Sequence, residues 1–149
     1  MFKTYHKILF FIACLITIDG HGQCSSMKAK CVPDVSKYTL LKAYDIQLPK
    51  RKNRKMRPPT KRYSVMLSKG TRYRVTGCVN RSVSFKPMVF SLYDNFGLVT
   101  TSYNQNSNKH YPAFEFICNK SGIYYLTFYF VDGIIGCGAG SLAMRKAIK

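Results

Sequence analysis

Phe114-Glu115-Phe116-Ile117-Cys118-Asn119-Lys120-Ser121-Gly122-Ile123-Tyr124-Tyr125-Leu126-Thr127-Phe128-Tyr129-Phe130-Val131 is the stretch that decides the fold class. Aromatic and β-branched residues fill two runs, and a four-residue turn ending in Gly122 separates them. Such side chains fit a pleated, half-buried surface, so the stretch reads as strand, turn, strand, and predicts a hairpin. Apolar residues on both parities of 123–131 predict a central strand covered on both faces. Glu115 alternates outward between Phe114 and Phe116, where a cross-strand Lys or Arg would pair with it.

The same punctuation recurs on either side. Residues 63–67 form a strand, Ser68-Lys69-Gly70 a turn, and 71–76 a strand with Tyr73 and Val75 on one face and Arg72 and Arg74 on the other. Residues 88–93 form a strand with Met88, Phe90 and Leu92 inward. Asp94-Asn95-Phe96-Gly97 is a turn in which the Asp94 side chain caps backbone N–H groups, and residues 98–103 return. Residues 104–110 form a polar loop. Upstream, the alternation of Tyr44, Ile46 and Leu48 favours a strand over a short helix. Gly133, Gly136, Gly138 and Gly140 lack the Gly-Lys-Ser/Thr signature of a phosphate loop. They read as a tight turn or bulge before a last strand at 141–144 and a basic tail. Short strands without a long helical period predict an all-β, antiparallel, jelly-roll-like β-sandwich. It occupies residues 37–149 as one domain, after an irregular lead-in at 23–36.

The N-terminus reads as a signal peptide over 1–22. Lys3 and Lys7 precede an apolar run at 8–18, and Gly20 and Gly22 stand at cleavage spacing before Gln23. The run falls short of the roughly 20 residues a membrane-spanning helix needs. The mature protein is therefore expected to be secreted or periplasmic. His21-Gly22-Gln23 matches a lipoprotein cleavage site poorly, which leaves a lipid anchor at Cys24 as the minor alternative.

In an oxidising compartment Cys24, Cys31, Cys78, Cys118 and Cys137 read as disulfide formers. Five is odd, so one thiol is free, lipidated or bonded to another chain. Cys24 and Cys31 could close a small loop, with Cys78, Cys118 and Cys137 competing for one bridge. Lipidation of Cys24 would leave an even set of four. Cys118 and Cys137 flank the hairpin and would staple it within the core.

The charge is lopsided: Lys and Arg total 24 against 6 acidic residues. Signal removal leaves 22 basic against 5 acidic residues, a formal charge near +17. The excess concentrates in a loop at 49–62, where eight of fourteen residues are basic and three are Pro. Self-repulsion predicts an extended, solvated segment. Lys50, Arg51, Lys52, Arg54, Lys55, Arg57, Lys61 and Arg62, with Arg72 and Arg74 from the sheet, form the candidate polyanion site. The partner classes this implies are lipopolysaccharide, an anionic glycan, an acidic protein or a peripheral membrane contact. No RNA-binding signature supports sequence-specific nucleic-acid recognition.

Leu67-Ser68-Lys69-Gly70-Thr71-Arg72-Tyr73, then Met88-Val89-Phe90-Ser91-Leu92-Tyr93-Asp94-Asn95-Phe96-Gly97, then Ser121-Gly122-Ile123-Tyr124-Tyr125-Leu126 resembles the bacterial pre-peptidase C-terminal domains. The order also resembles small secreted β-sandwich proteins of Bacteroidetes. The likeness covers residues 63–144. It implies a jelly-roll-like sandwich with an accessory or binding role and no catalytic residues. The chain departs from that pattern in its cysteines, its basicity and the absence of an attached enzyme.

Catalytic inventories are thin. His110 sits in a polar loop, no Gly-x-Ser-x-Gly surrounds a serine, and no CxxC pair or Asp-rich calcium loop occurs. No catalytic, cofactor or metal site is expected. The sequence supports a non-catalytic binding or accessory module at the cell envelope, with a structural subunit of an envelope or secretion assembly as the alternative.

Overall fold

The computed structural model describes Cys24, residues 27–34 and residues 36–146. The segment at 1–22 read as a signal peptide and the end of the basic tail lie outside the described residues. One short helix, α1 (Met27–Lys30), precedes ten strands: β1 (Tyr38–Leu48), β2 (Lys61–Leu67), β3 (Arg72–Val79), β4 (Met88–Tyr93), β5 (Leu98–Thr101), β6 (Tyr103–Asn104), β7 (Lys109–His110), β8 (Ala113–Ile117), β9 (Gly122–Phe130) and β10 (Gly136–Arg145). Two four-stranded sheets result, ordered β1-β10-β3-β8 and β2-β9-β4-β5, with β6-β7 as a small ribbon. Every pairing is antiparallel. The fold is an all-β sandwich, as the alternating patterns predict.

The core lies between the sheets. Tyr44, Ile46, Tyr73, Val75 and Leu142 face Val65, Leu67, Phe90, Leu92, Leu126 and Phe128 across it, and all are buried. Met88, Phe90 and Leu92 point inward as expected. Asp94 Oδ1 accepts from the N–H groups of Phe96 and Gly97 at 2.8 and 2.9 Å, the cap its turn context predicts.

The opening stretch does not form a hairpin. β8 pairs with β3 in one sheet, and β9 lies between β2 and β4 in the other. Residues 118–121 carry the chain from layer to layer. Facing sheets lie roughly 10 Å apart, a gap four extended residues span at about 3.3 Å each. The β2–β3 link crosses beside it. Gly70 N–H donates to the Cys118 carbonyl (2.7 Å), Cys118 N–H to Thr71 (3.0 Å) and Lys69 N–H to Ser121 Oγ (2.8 Å). β9 is central within its sheet, but only one of its faces is buried. Ile123 is exposed and Tyr125, Thr127 and Tyr129 are half-buried on the outer side, which corrects the two-sided expectation.

Of the glycine-rich segment, only Gly133 lies in a turn, at the end of the 3-10 turn Val131–Gly133. Gly136, Gly138 and Gly140 belong to β10, which pairs with both β1 and β3. Gly136 and Gly140 point inward beneath the rings of Phe130 and Phe128 of the opposite sheet, and a Cβ at either position would overlap its ring. The missing side chains let two phenyl rings lie directly on the central strand.

The cysteines pair differently from the sequence expectation. Cys24 bridges Cys137, Cys31 bridges Cys78, and Cys118 is a buried free thiol. Neither a Cys24–Cys31 loop nor a Cys118–Cys137 staple forms. Alternation explains why. Cys137 follows inward-facing Gly136 and Cys78 follows Gly77, so both sulfurs lie on the outer face of their sheet. There α1 packs Met27 and Cys31 against Ala139 and Cys78 as a second small core. The lead-in is thus a stapled cover on the outer face. The Cys24–Cys137 bridge occupies the sulfur that a lipid anchor at Cys24 would need.

Candidate functional site

The basic segment between β1 and β2 is a largely exposed loop without helix or strand, as its charge predicts, but it turns at 53–56 instead of running extended throughout. Asn53 turns it: Met56 N–H donates to the Asn53 carbonyl (3.1 Å) and Lys55 N–H to Asn53 Oδ1 (3.0 Å). Asx turns of this kind supply local backbone partners, which charge repulsion alone does not anticipate. Arg51 docks the segment. Its N–H donates to the Gly133 carbonyl at 2.6 Å and its Nη1 to the Met56 carbonyl at 3.3 Å. Gly133 has φ +62°, and a Cβ there would meet Arg51 Cβ at 2.7 Å.

The result is a cleft of about 620 Å³ lined by Lys50, Arg51, Lys52 and Arg54 on one side and Asp132, Gly133 and Ile134 on the other. Its single carboxylate, Asp132, stands 3.5 Å from Lys86 Nζ. Four cationic side chains thus line the cleft with one acid, itself paired with Lys86, and the field in the cleft is positive.

Six other predicted site residues do not line this cleft. Lys55 and Arg57 are exposed beyond it. Lys61 and Arg62 belong to β2. Lys61 Nζ donates to the Asp45 carbonyl (3.1 Å), and the Arg62 guanidinium lies 3.9 Å over the Tyr125 ring. Arg72 and Arg74 belong to β3 and serve Glu115. Arg74 Nη1 is 2.9 Å from Glu115 Oε1, and Arg72 Nη1 is 3.9 Å from Oε2. Arg74 and Glu115 are register partners across β3 and β8, so the basic partner expected for Glu115 comes from β3 and not from a hairpin strand. The Tyr38 hydroxyl also donates to Glu115. That hydrogen bond, followed by the Arg74 guanidinium, holds the Glu115 carboxyl below the usual glutamate range. Both strand arginines thus share the Glu115 carboxylate, Arg74 more closely than the half-exposed Arg72, and neither lines the basic cleft.

His110 stacks on Tyr103, with ring centroids 4.6 Å apart. The cleft it borders, of about 480 Å³, is lined by Arg81, Ser84, Phe85 and Lys86 among others, and by no carboxylate or thiol. No group of three or more metal-ligating side chains occurs among the described residues.

A further cleft, of about 630 Å³, lies on the outer face of β4 and β5. Tyr93, Tyr103 and Tyr129 line it together with Asn104, Gln105 and Asn106. Sequence reasoning treats residues 104–110 as a polar loop without a role. The tyrosines that meet there come from three separated segments, so no local motif announces them.

No protein-family model matches the chain, and no curated protein matches it. Among solved structures, it is similar to Aeromonas hydrophila PliG, a periplasmic lysozyme inhibitor of g-type lysozyme. The identity is 9% and the TM-score 0.47, over 77% of this chain and 93% of that one.

Proposed function

We propose that this chain is a secreted or periplasmic, non-catalytic binding module that engages an anionic envelope component or an acidic protein through the cleft at Lys50, Arg51, Lys52 and Arg54. The observation that carries this reading is the docking of the basic segment onto Gly133, which brings four cationic residues to one cleft with a single acid. Ordering cations in advance lowers the entropy lost when an anion binds. Two disulfides fit an oxidising compartment. The resemblance to pre-peptidase C-terminal domains points to the same accessory role.

The test is retention on immobilised heparin and on lipid A vesicles, with polyglutamate as the acidic-polypeptide arm. Binding to at least one should fall steeply with salt. Lys50→Ser, Lys52→Ser and Arg54→Ser together should lower the log–log salt slope by about one for each anionic group no longer neutralised. Arg51 is left in place because it docks the segment. An unchanged slope in the triple variant rejects the reading.

A further inference from the structure

The outer face of the β2-β9-β4-β5 sheet presents a second recognition surface. It is lined by the half-buried Tyr93 and Tyr129, which come from neighbouring strands, and by Tyr103. The ribbon loop raises Asn104, Gln105 and Asn106 along the rim. This loop is built rather than loose. Asn104 Oδ1 accepts from the N–H groups of Asn106 (3.0 Å) and Ser107 (3.2 Å), and the Tyr103 hydroxyl donates to Asn108 Oδ1 (2.9 Å). His110 stacks on the Tyr103 ring and fixes its plane.

The chemistry of the lining is unusual for a chain this basic. No Lys, Arg, Asp or Glu lines the cleft. Burial raises the pKa of the Tyr129 phenol further above its ordinary value of 10, so the lining carries no charge near neutral pH. The Tyr93 and Tyr129 hydroxyls and the Gln105 and Asn106 side-chain amides make no hydrogen bond to another described residue. The cleft therefore offers aromatic rings, with unused amide and hydroxyl donors and acceptors around them.

We infer that this cleft binds a neutral saccharide. The C–H face of a pyranose ring is weakly positive and apolar, and it complements the negative face of an aromatic ring. Its hydroxyls form a ring of donors and acceptors, which planar amides and phenols match. A volume of about 630 Å³ falls in the range of small-ligand sites, roughly 300–1,000 Å³. No residue lines both this cleft and the basic one, so the saccharide site stands independently of the anion site.

The experiment is calorimetric titration of the mature protein with cello-, manno- and chito-oligosaccharides, followed by tyrosine fluorescence. At least one series should bind, with an affinity unchanged between about 0.05 and 0.5 M salt because no charge is involved. Tyr93→Ala and Gln105→Ala should each weaken binding, by about tenfold for the ring and about threefold for the amide. Tyr93→Phe should retain most of the affinity, which separates stacking from loss of fold. Gln105 is exposed and unbonded, so its variant should melt like the parent. The inference is overturned if no series binds, if binding survives both alanine variants, or if salt abolishes it. It is also overturned if the surface instead binds an unglycosylated polypeptide in competition with the sugars.

Discussion

Gly140 of β10 lies directly beneath the ring of Phe128 of β9: a Cβ at Gly140 would sit 2.5 Å from two of the ring carbons. Phe128 is fully buried, so the ring has little room to retreat. In an ordinary strand, replacing Gly by Ala stabilises by restricting the unfolded chain. Here the sign should reverse. Gly140→Ala is expected to cost about 1–3 kcal/mol through overpacking, read from the midpoint of urea unfolding. Combining it with Phe128→Leu should cost less than the sum of the two single changes, because the smaller side chain vacates the space.

The disulfides close loops of very different origin. Cys24–Cys137 spans 113 residues and Cys31–Cys78 spans 47. Chain entropy gives about 5 and about 4 kcal/mol for these separations, values that depend on that model. Cys31→Ala with Cys78→Ala is therefore expected to lower stability by several kcal/mol, and it also loosens α1 from Ala139. Non-reducing peptide mapping should recover these two pairs. Cys118 should react with iodoacetamide only after denaturant is added. A Cys118–Cys137 peptide would refute the arrangement.

Glu115 couples the acid limb of stability to β8. Its carboxyl is held below the usual range by the Tyr38 hydroxyl and by Arg74. The depressed folded pKa means its contribution is present above the unfolded value near 4.5 and is lost as pH falls through the folded value. Glu115→Gln should cost about 1–2 kcal/mol near neutral pH and flatten the unfolding profile below pH ~4.5. The partial exposure of the pair favours the lower end of that range. Equal losses at every pH would mean that packing, and not the charge, is responsible.

Tyr44 tests the opposite limb. Its ring packs 4.5 Å from Tyr63 and 5.8 Å from Phe128, but its buried hydroxyl has no hydrogen-bond partner. Burial pushes its pKa up to about 12. A raised folded value means that its stabilising contribution is present below the unfolded pKa near 10 and disappears as pH rises through about 12. Tyr44→Phe keeps the ring contacts and removes an unsatisfied polar atom, so stability at neutral pH should hold or rise by about 1 kcal/mol. The alkaline limb should become shallower. A loss above that size at neutral pH would reveal a hydrogen bond that the folded protein makes to this hydroxyl.

Much of the architecture is legible in local residue patterns. Inward Met88, Phe90 and Leu92, outward Arg72, Arg74 and Glu115, and the Asp94 turn all follow from the two-residue period of a strand and from turn chemistry. The candidate cleft is legible only by composition. Lys50, Arg51, Lys52 and Arg54 stand out by charge, but their ordering depends on Asn53 and on Gly133, which lies more than seventy residues downstream.

The amino-acid sequence by itself determines that 114–117 and 123–130 are strands, that the chain is all-β, and that its excess charge is positive. Only the tertiary structure decides which strands are neighbours. A strand–turn–strand pattern is the same whether the two strands pair in one sheet or cross between two, because period and turn residues report local geometry and not the partner across a ladder. Disulfide pairing, the glycines under Phe128 and Phe130, and the meeting of Tyr93, Tyr103 and Tyr129 all follow from that choice of neighbours. Each joins residues far apart in sequence, and their proximity exists only once the two sheets have packed.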